Sequence, residues 1–255
     1  MFYLNSHGKL AVMFYLNSHG KTAHHWPLPQ DLVERMLSAN SPLAELAKLA
    51  ESDCRERLRA HWAALAFPAN RAIAELILSY PSMCIVEGGE DGFRLALYSK
   101  RNVFSITALE HDIPTDQLKF PFASIPGLLE FLTNFSGMME FGQFFTAASL
   151  CIMWNNDVDS IWGPVDLWDG SLVIYQLVSS NLLVIRPDGV IGKWYHDYAE
   201  NIPLAKHQKR YKKDGFEEGP VDRLKYDFEG LLGKYVEYCR KGAGDGVPEE
   251  NIFYS

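Results

Sequence analysis

The chain has none of the short motifs by which hydrolases, metalloproteases and nucleotide-binding enzymes are read. GxSxG, HExxH, GxGxxG and GxxxxGK[ST] are all absent from its 255 residues. No catalytic set, cofactor or resident metal is therefore expected, and the chain is read as a non-enzyme. Paired cysteines are missing too. Cys54, Cys84, Cys151 and Cys239 are scattered without a CxxC, which excludes a zinc ribbon or a disulfide framework and suits free thiols in a reducing compartment. No apolar run approaches the ~20 residues needed to span a bilayer. The opening MFYL lacks the basic flank and continuous apolar core of a secretion signal, so the expectation is a cytoplasmic protein with no membrane partner. Excess positive charge is also lacking: 24 Lys and Arg against 32 Asp and Glu leave a net charge of -8. Nonspecific nucleic-acid binding needs clustered cations, so direct nucleic-acid contact is not expected. An acidic surface suits a basic protein partner.

What is present is mostly structural. Apolar residues make up 47% and charged residues 22%, ordinary globular values that exclude disorder of the whole chain. The stretch Ser171 to His196 predicts three consecutive antiparallel strands, at 172–178, 182–186 and 190–195, rich in β-branched residues. Between the last two, Pro187-Asp188-Gly189 is a turn: proline fixes φ, aspartate bonds its own downstream backbone, and glycine accepts positive φ. Earlier, 83–86 and 93–98 flank Gly88-Gly89-Glu90-Asp91-Gly92 as a hairpin, with 103–108 a further strand. That glycine-rich turn holds two acids and leads into a strand, so it is no phosphate cradle. Helices are predicted at 31–37, at 41–66 with one break, at 71–80, from Ser124 to Gly137, and at 224–239, where Phe228, Leu231, Leu232, Tyr235, Val236 and Cys239 recur at helical spacing. The fold class expected is α+β: a helical N-terminal part, then a central antiparallel sheet with flanking helices.

The chain divides into four stretches. Residues 1–21 are a duplicated leader, because MFYLNSHGK at 1–9 recurs at 13–21; one short repeat does not make a solenoid. Residues 22–110 form a helical and hairpin region, 122–241 an α+β domain, and 242–255 a glycine-rich, acidic tail expected to be mobile. His24 and His25 invite a metal reading, but neighbours on a strand point to opposite faces. The run KHQKRYKK at 206–213 reads as a solvated basic face.

One segment stands out as a binding surface. Residues 155–170, NNDVDSIWGPVDLWDG, place Asp157, Asp159, Asp166 and Asp169 beside Trp162 and Trp168. The spacing fails as a calcium loop, with only Asp157 and Asp159 alternating and no glutamate at the twelfth position. Asp166 and Asp169 lack the signs of a glycosidase pair. Exposed tryptophans among acids supply contact area and a charge complement for a basic protein. The competing reading is that the tryptophans cover the edge of the core.

From residue 122 onward the order of phrases resembles the Smi1/Knr4-like (SUKH) superfamily. Pro126, Phe131, Leu132 and Gly137 match its first helical phrase, Asp188, Gly189, Gly192 and Trp194 its strand-turn-strand, and Pro203, Leu204 and Ala205 the phrase that follows. The chain departs from the family in ending the first helix on Ser136-Gly137 and in carrying the long tryptophan-containing insert. The resemblance covers 122–241. It implies an α+β domain whose bacterial members are commonly immunity proteins that bind and block an intracellular toxin, often a nuclease. The functional expectation is a protein that occludes the active site of a cognate toxin through Asp157, Asp159, Trp162, Asp166, Trp168 and Asp169. Alternatives are a regulatory scaffold of the Smi1 type, or a small hydrolase using His196 with Asp197 or His111.

Overall fold

The structure is a computed structural model, and it describes residues 22–88, 92–99, 103–110, 122–135, 138–139, 143–144, 151–153, 168, 170–176, 181–195, 213 and 221–241. The leader, the tail and most of the segment 155–170 lie outside these residues. Six α-helices are described: α1 (Gln30–Ser38), α2 (Ala44–Ala47), α3 (Glu51–Trp62), α4 (Pro68–Leu78), α5 (Leu128–Asn134) and α6 (Phe228–Arg240). The strands are β1 (Thr22–His25), β2 (Ser82–Glu87), β3 (Phe93–Tyr98), β4 (Val103–Ile106), β5 (Met138–Met139), β6 (Gln143–Phe144), β7 (Cys151–Met153), β8 (Ser171–Gln176), β9 (Leu182–Ile185), β10 (Ile191–Trp194) and β11 (Val221–Arg223). The fold is α+β, as the sequence predicts.

Every strand pairing is antiparallel. The order β1-β2-β3-β4-β5-β6-β8-β9-β10-β11, with β7 beside β8, joins two four-stranded blocks through the two-residue strands β5 and β6. Alternation sorts the side chains between the two faces. Met83, Ile85, Leu95, Leu97, Phe104, Ile106, Leu183, Ile185 and Ile191 share one cluster with the buried faces of all six helices. Cys84, Val86, Ala96, Tyr98 and Val103 form a second cluster on the reverse face. Trp168, Val173, Leu182, Val184, Trp194 and Val221 form a third. A bulge between Val173 and Tyr175 on β8 breaks the alternation, so Ile174 and Tyr175 both join the helical side.

The expected division at 110–122 does not divide the core. Aromatic contacts cross it: the Phe135 ring lies 5.7 Å from Trp62 of α3 and 6.4 Å from Phe104 of β4, centre to centre. Helix α4 packs against α6. Each such ring pair adds ~0.5–1.5 kcal/mol beyond the area it buries, so the two regions share one interior.

Local chemistry sets the element ends. Pro68 opens α4 at its first turn, where a missing N–H costs nothing. The break in the 41–66 helix falls between α2 and α3. Asp227 caps α6 by accepting from Gly230 N at 2.9 Å. Helix α4 has no cap of its own. Glu130 of α5 supplies one from 62 residues away: it accepts from Ala66 N at 2.6 Å, Phe67 N at 3.1 Å and the Asn70 amide at 2.8 Å. Gly127, at φ +74, lets the chain turn into α5 where a Cβ would lie 3.3 Å from the Phe67 ring.

Candidate partner-binding surface

The strands β7 and β8 pair in the register Cys151↔Val173, Ile152↔Leu172 and Met153↔Ser171. Residues 154–170 are therefore the connection of a β-hairpin, with both ends fixed at one end of the sheet. This connection carries the aspartates and tryptophans singled out from the sequence. Of the six expected contact residues, Asp157, Asp159, Trp162, Asp166 and Asp169 lie outside the described residues.

Trp168 is described, and it corrects its own expected role. It is 0% exposed, so its ring offers no area to a partner. The indole lies across β10 at Gly192: a Cβ built there would meet Trp168 Cη2 at 2.5 Å, Trp168 Cζ3 at 2.9 Å and Val221 Cγ1 at 2.4 Å. No residue but glycine fits beneath the ring. The Arg186 guanidinium sits 5.6 Å from the ring centre, close enough for a cation–π attraction of ~0.5–2 kcal/mol. Trp168 thus anchors the end of the hairpin connection to the sheet. Its Nε1 and the Ser171 hydroxyl are buried with no hydrogen-bond partner among the described residues.

The turn that presents Arg186 matches the sequence reading in detail. Gly189 has φ +85. Its N–H donates to Arg186 O at 2.9 Å, Arg186 N–H donates to Val190 O at 2.9 Å, and Asp188 accepts from Val190 N at 3.2 Å. Asp188 also holds the Arg186 guanidinium at 2.7 Å. On the helical side of β10, Lys193 is buried at 4% exposure with its ammonium 4.6 Å from the Tyr195 ring centre. The Tyr195 hydroxyl donates to Asp222 at 2.5 Å. Trp194, 1% exposed, is a core residue.

Other expectations resolve more simply. His24 and His25 do point apart: His24 Nε2 lies 3.0 Å from Glu87, and His25 Nδ1 lies 3.3 Å from the Tyr98 hydroxyl on the reverse face. Glu87 also accepts from Arg35 Nε at 3.0 Å and Nη2 at 2.9 Å, and the guanidinium holds its carboxyl below the ordinary glutamate value. Cys54, Cys84 and Cys239 are buried free thiols; burial pushes Cys54 and Cys84 up to about 12. His111, His196 and Asp197 lie outside the described residues. The basic run does too, apart from an exposed Lys213. No helix among the described residues is long and apolar enough to cross a membrane.

The fold and surface define an α+β protein with an antiparallel sheet, helices on one face, and Trp168 packed on the other. No family model, curated protein or solved structure matches the chain.

Proposed function

We propose that the chain is a non-enzymatic immunity protein, which binds a cognate bacterial toxin and occludes its active site. The observation that carries this reading is the anchored hairpin connection. Pairing of Met153 with Ser171, and burial of Trp168 over Gly192, hold both ends of a segment bearing Asp157, Asp159, Trp162, Asp166 and Asp169. A surface with its ends fixed loses less conformational entropy on binding. Acids facing the basic groove of a nuclease-type toxin would steer association, with Trp162 as the aromatic anchor. The net charge of -8 acts in the same direction at longer range.

The test is co-expression with the toxins encoded beside the gene, with growth and complex formation as the readouts. Rescue and co-purification with one of them is the expected outcome; binding to none of them refutes the reading. Joint Asp157→Asn, Asp159→Asn and Asp166→Asn substitutions should slow association at low salt and leave high-salt association nearly unchanged. An association rate independent of salt would remove the electrostatic part.

A further inference from the structure

A cleft of about 420 Å³ opens at the other block of the sheet, where β1 stops, β2 begins and β3 ends. That volume lies within the range of small-ligand sites. Its lining includes His25, Trp26, Glu51, Ser82, Met83 and Tyr98. The walls are held in place. Trp26 Nε1 donates to Leu49 O at 2.9 Å, fixing the indole between β1 and the start of α3. The Tyr98 hydroxyl lies 3.3 Å from His25 Nδ1, the two rings meeting edge to face at 6.1 Å. Burial raises the Tyr98 phenol above its ordinary value, keeping it protonated.

Glu51 supplies the carboxylate of this cleft, with Arg55 paired to one of its oxygens from behind the lining. Glu51 is its formally charged lining residue. Arg55, its counter-ion, is not part of the lining: Nε and Nη2 both donate to Glu51 Oε1, at 3.2 and 3.0 Å, and Nη1 turns away to the Tyr80 carbonyl at 2.9 Å. Glu51 Oε2 accepts no hydrogen bond from the described residues. The cleft therefore combines a carboxylate oxygen still open to a donor with indole and phenol rings, a thioether and a serine hydroxyl. Carboxylate with aromatic faces is the chemistry that holds an ammonium group, through charge, hydrogen bonding and cation–π attraction. An anion finds no lysine or arginine in the lining to pair with.

We propose that this cleft is a binding site for a primary ammonium group, carried by a small free amine or by a lysine side chain. It is independent of the toxin-binding reading, since it lies in the β1–β4 block and uses none of the same residues. The test is a titration followed by NMR at the Met83 methyl, the Trp26 indole N–H and the His25 ring. The probes are n-butylamine, Nα-acetyl-lysine amide, n-butanol and acetate. Both amines are expected to saturate with a dissociation constant of about 1 mM, and butanol and acetate to leave all three signals in place. The tighter of the two amines identifies the source, free amine or lysine side chain. Glu51→Gln is expected to weaken amine binding about tenfold while the far-ultraviolet circular dichroism is retained. Equal shifts with butylamine and butanol would overturn the proposal in the unmodified protein, whatever the fate of the variant. Undiminished amine binding in a folded Glu51→Gln protein would overturn it as well.

Discussion

Substituting Gly192 by alanine adds one carbon at the most crowded point of the reverse face. The new Cβ would lie 2.4 Å from Val221 Cγ1 and 2.5 Å from Trp168 Cη2, both far inside ordinary contact. Overpacking of this kind costs about 1–3 kcal/mol. Alanine recovers about 0.5–1 kcal/mol of the conformational entropy that glycine loses in a strand. The net expectation is a loss of about 0–2.5 kcal/mol, read as a lower urea midpoint at unchanged slope. The decisive version is a double-mutant cycle with Trp168→Ala. That change alone should cost about 3–5 kcal/mol, because it empties a site that is 0% exposed. With the indole gone, one of the two clashes is gone, and Gly192→Ala should then cost about 1 kcal/mol less than in the native background. Strict additivity of the two substitutions would refute the claim that the ring rests on that glycine.

Removing the Glu130 side chain with Glu130→Ala strips the partners from Ala66 N and Phe67 N and one of the two acceptors of the Asn70 amide, which keeps its bond to Gly127 O; a loss of about 2–4 kcal/mol is expected, with faster hydrogen exchange at the first two amides. Glu87 lies below its ordinary value of 4.5, first because of Arg35 and then His24. Its contribution to stability is present above that pH and is lost as pH falls through the depressed folded value. Glu87→Gln should therefore lower stability at neutral pH, flatten the acid limb of the stability curve below about pH 4.5, and converge with the parent in strong acid. Cys54 and Cys84, buried and pushed up to about 12, should react with a thiol reagent at pH 8 only as fast as the protein opens. Rapid labelling of either residue in the folded state would contradict their burial.

What the sequence makes legible here is what short-range chemistry decides. The turn at Pro187 to Gly189 could be read because its bonds run among residues 186–190. The apolar alternation of the strands and the stripe of α6 likewise repeat within a few residues. The single interior could not be read, because the blocks are joined through β5 and β6, two residues each, too short to leave a periodic trace. The cap on α4 was hidden for another reason: a glutamate inside one helix gives no sign that it faces the start of another. Trp168 shows where composition fails. A tryptophan among aspartates reads equally as an exposed anchor or as a core residue, and the choice was made by Gly192, 24 residues further on. That glycine was visible in the sequence, but what lay over it was not.

The packing of α4 against α6 has a consequence for synthesis. About 150 residues separate Leu78 from Phe228, so at 5–20 residues per second the ribosome needs about 8–30 s to reach the second helix after finishing the first. Throughout that interval the part of α4 that packs against α6 waits for its partner. The growing chain is then a client for a holding chaperone, and a message truncated anywhere before codon 228 would yield a sticky fragment in place of a smaller folded protein.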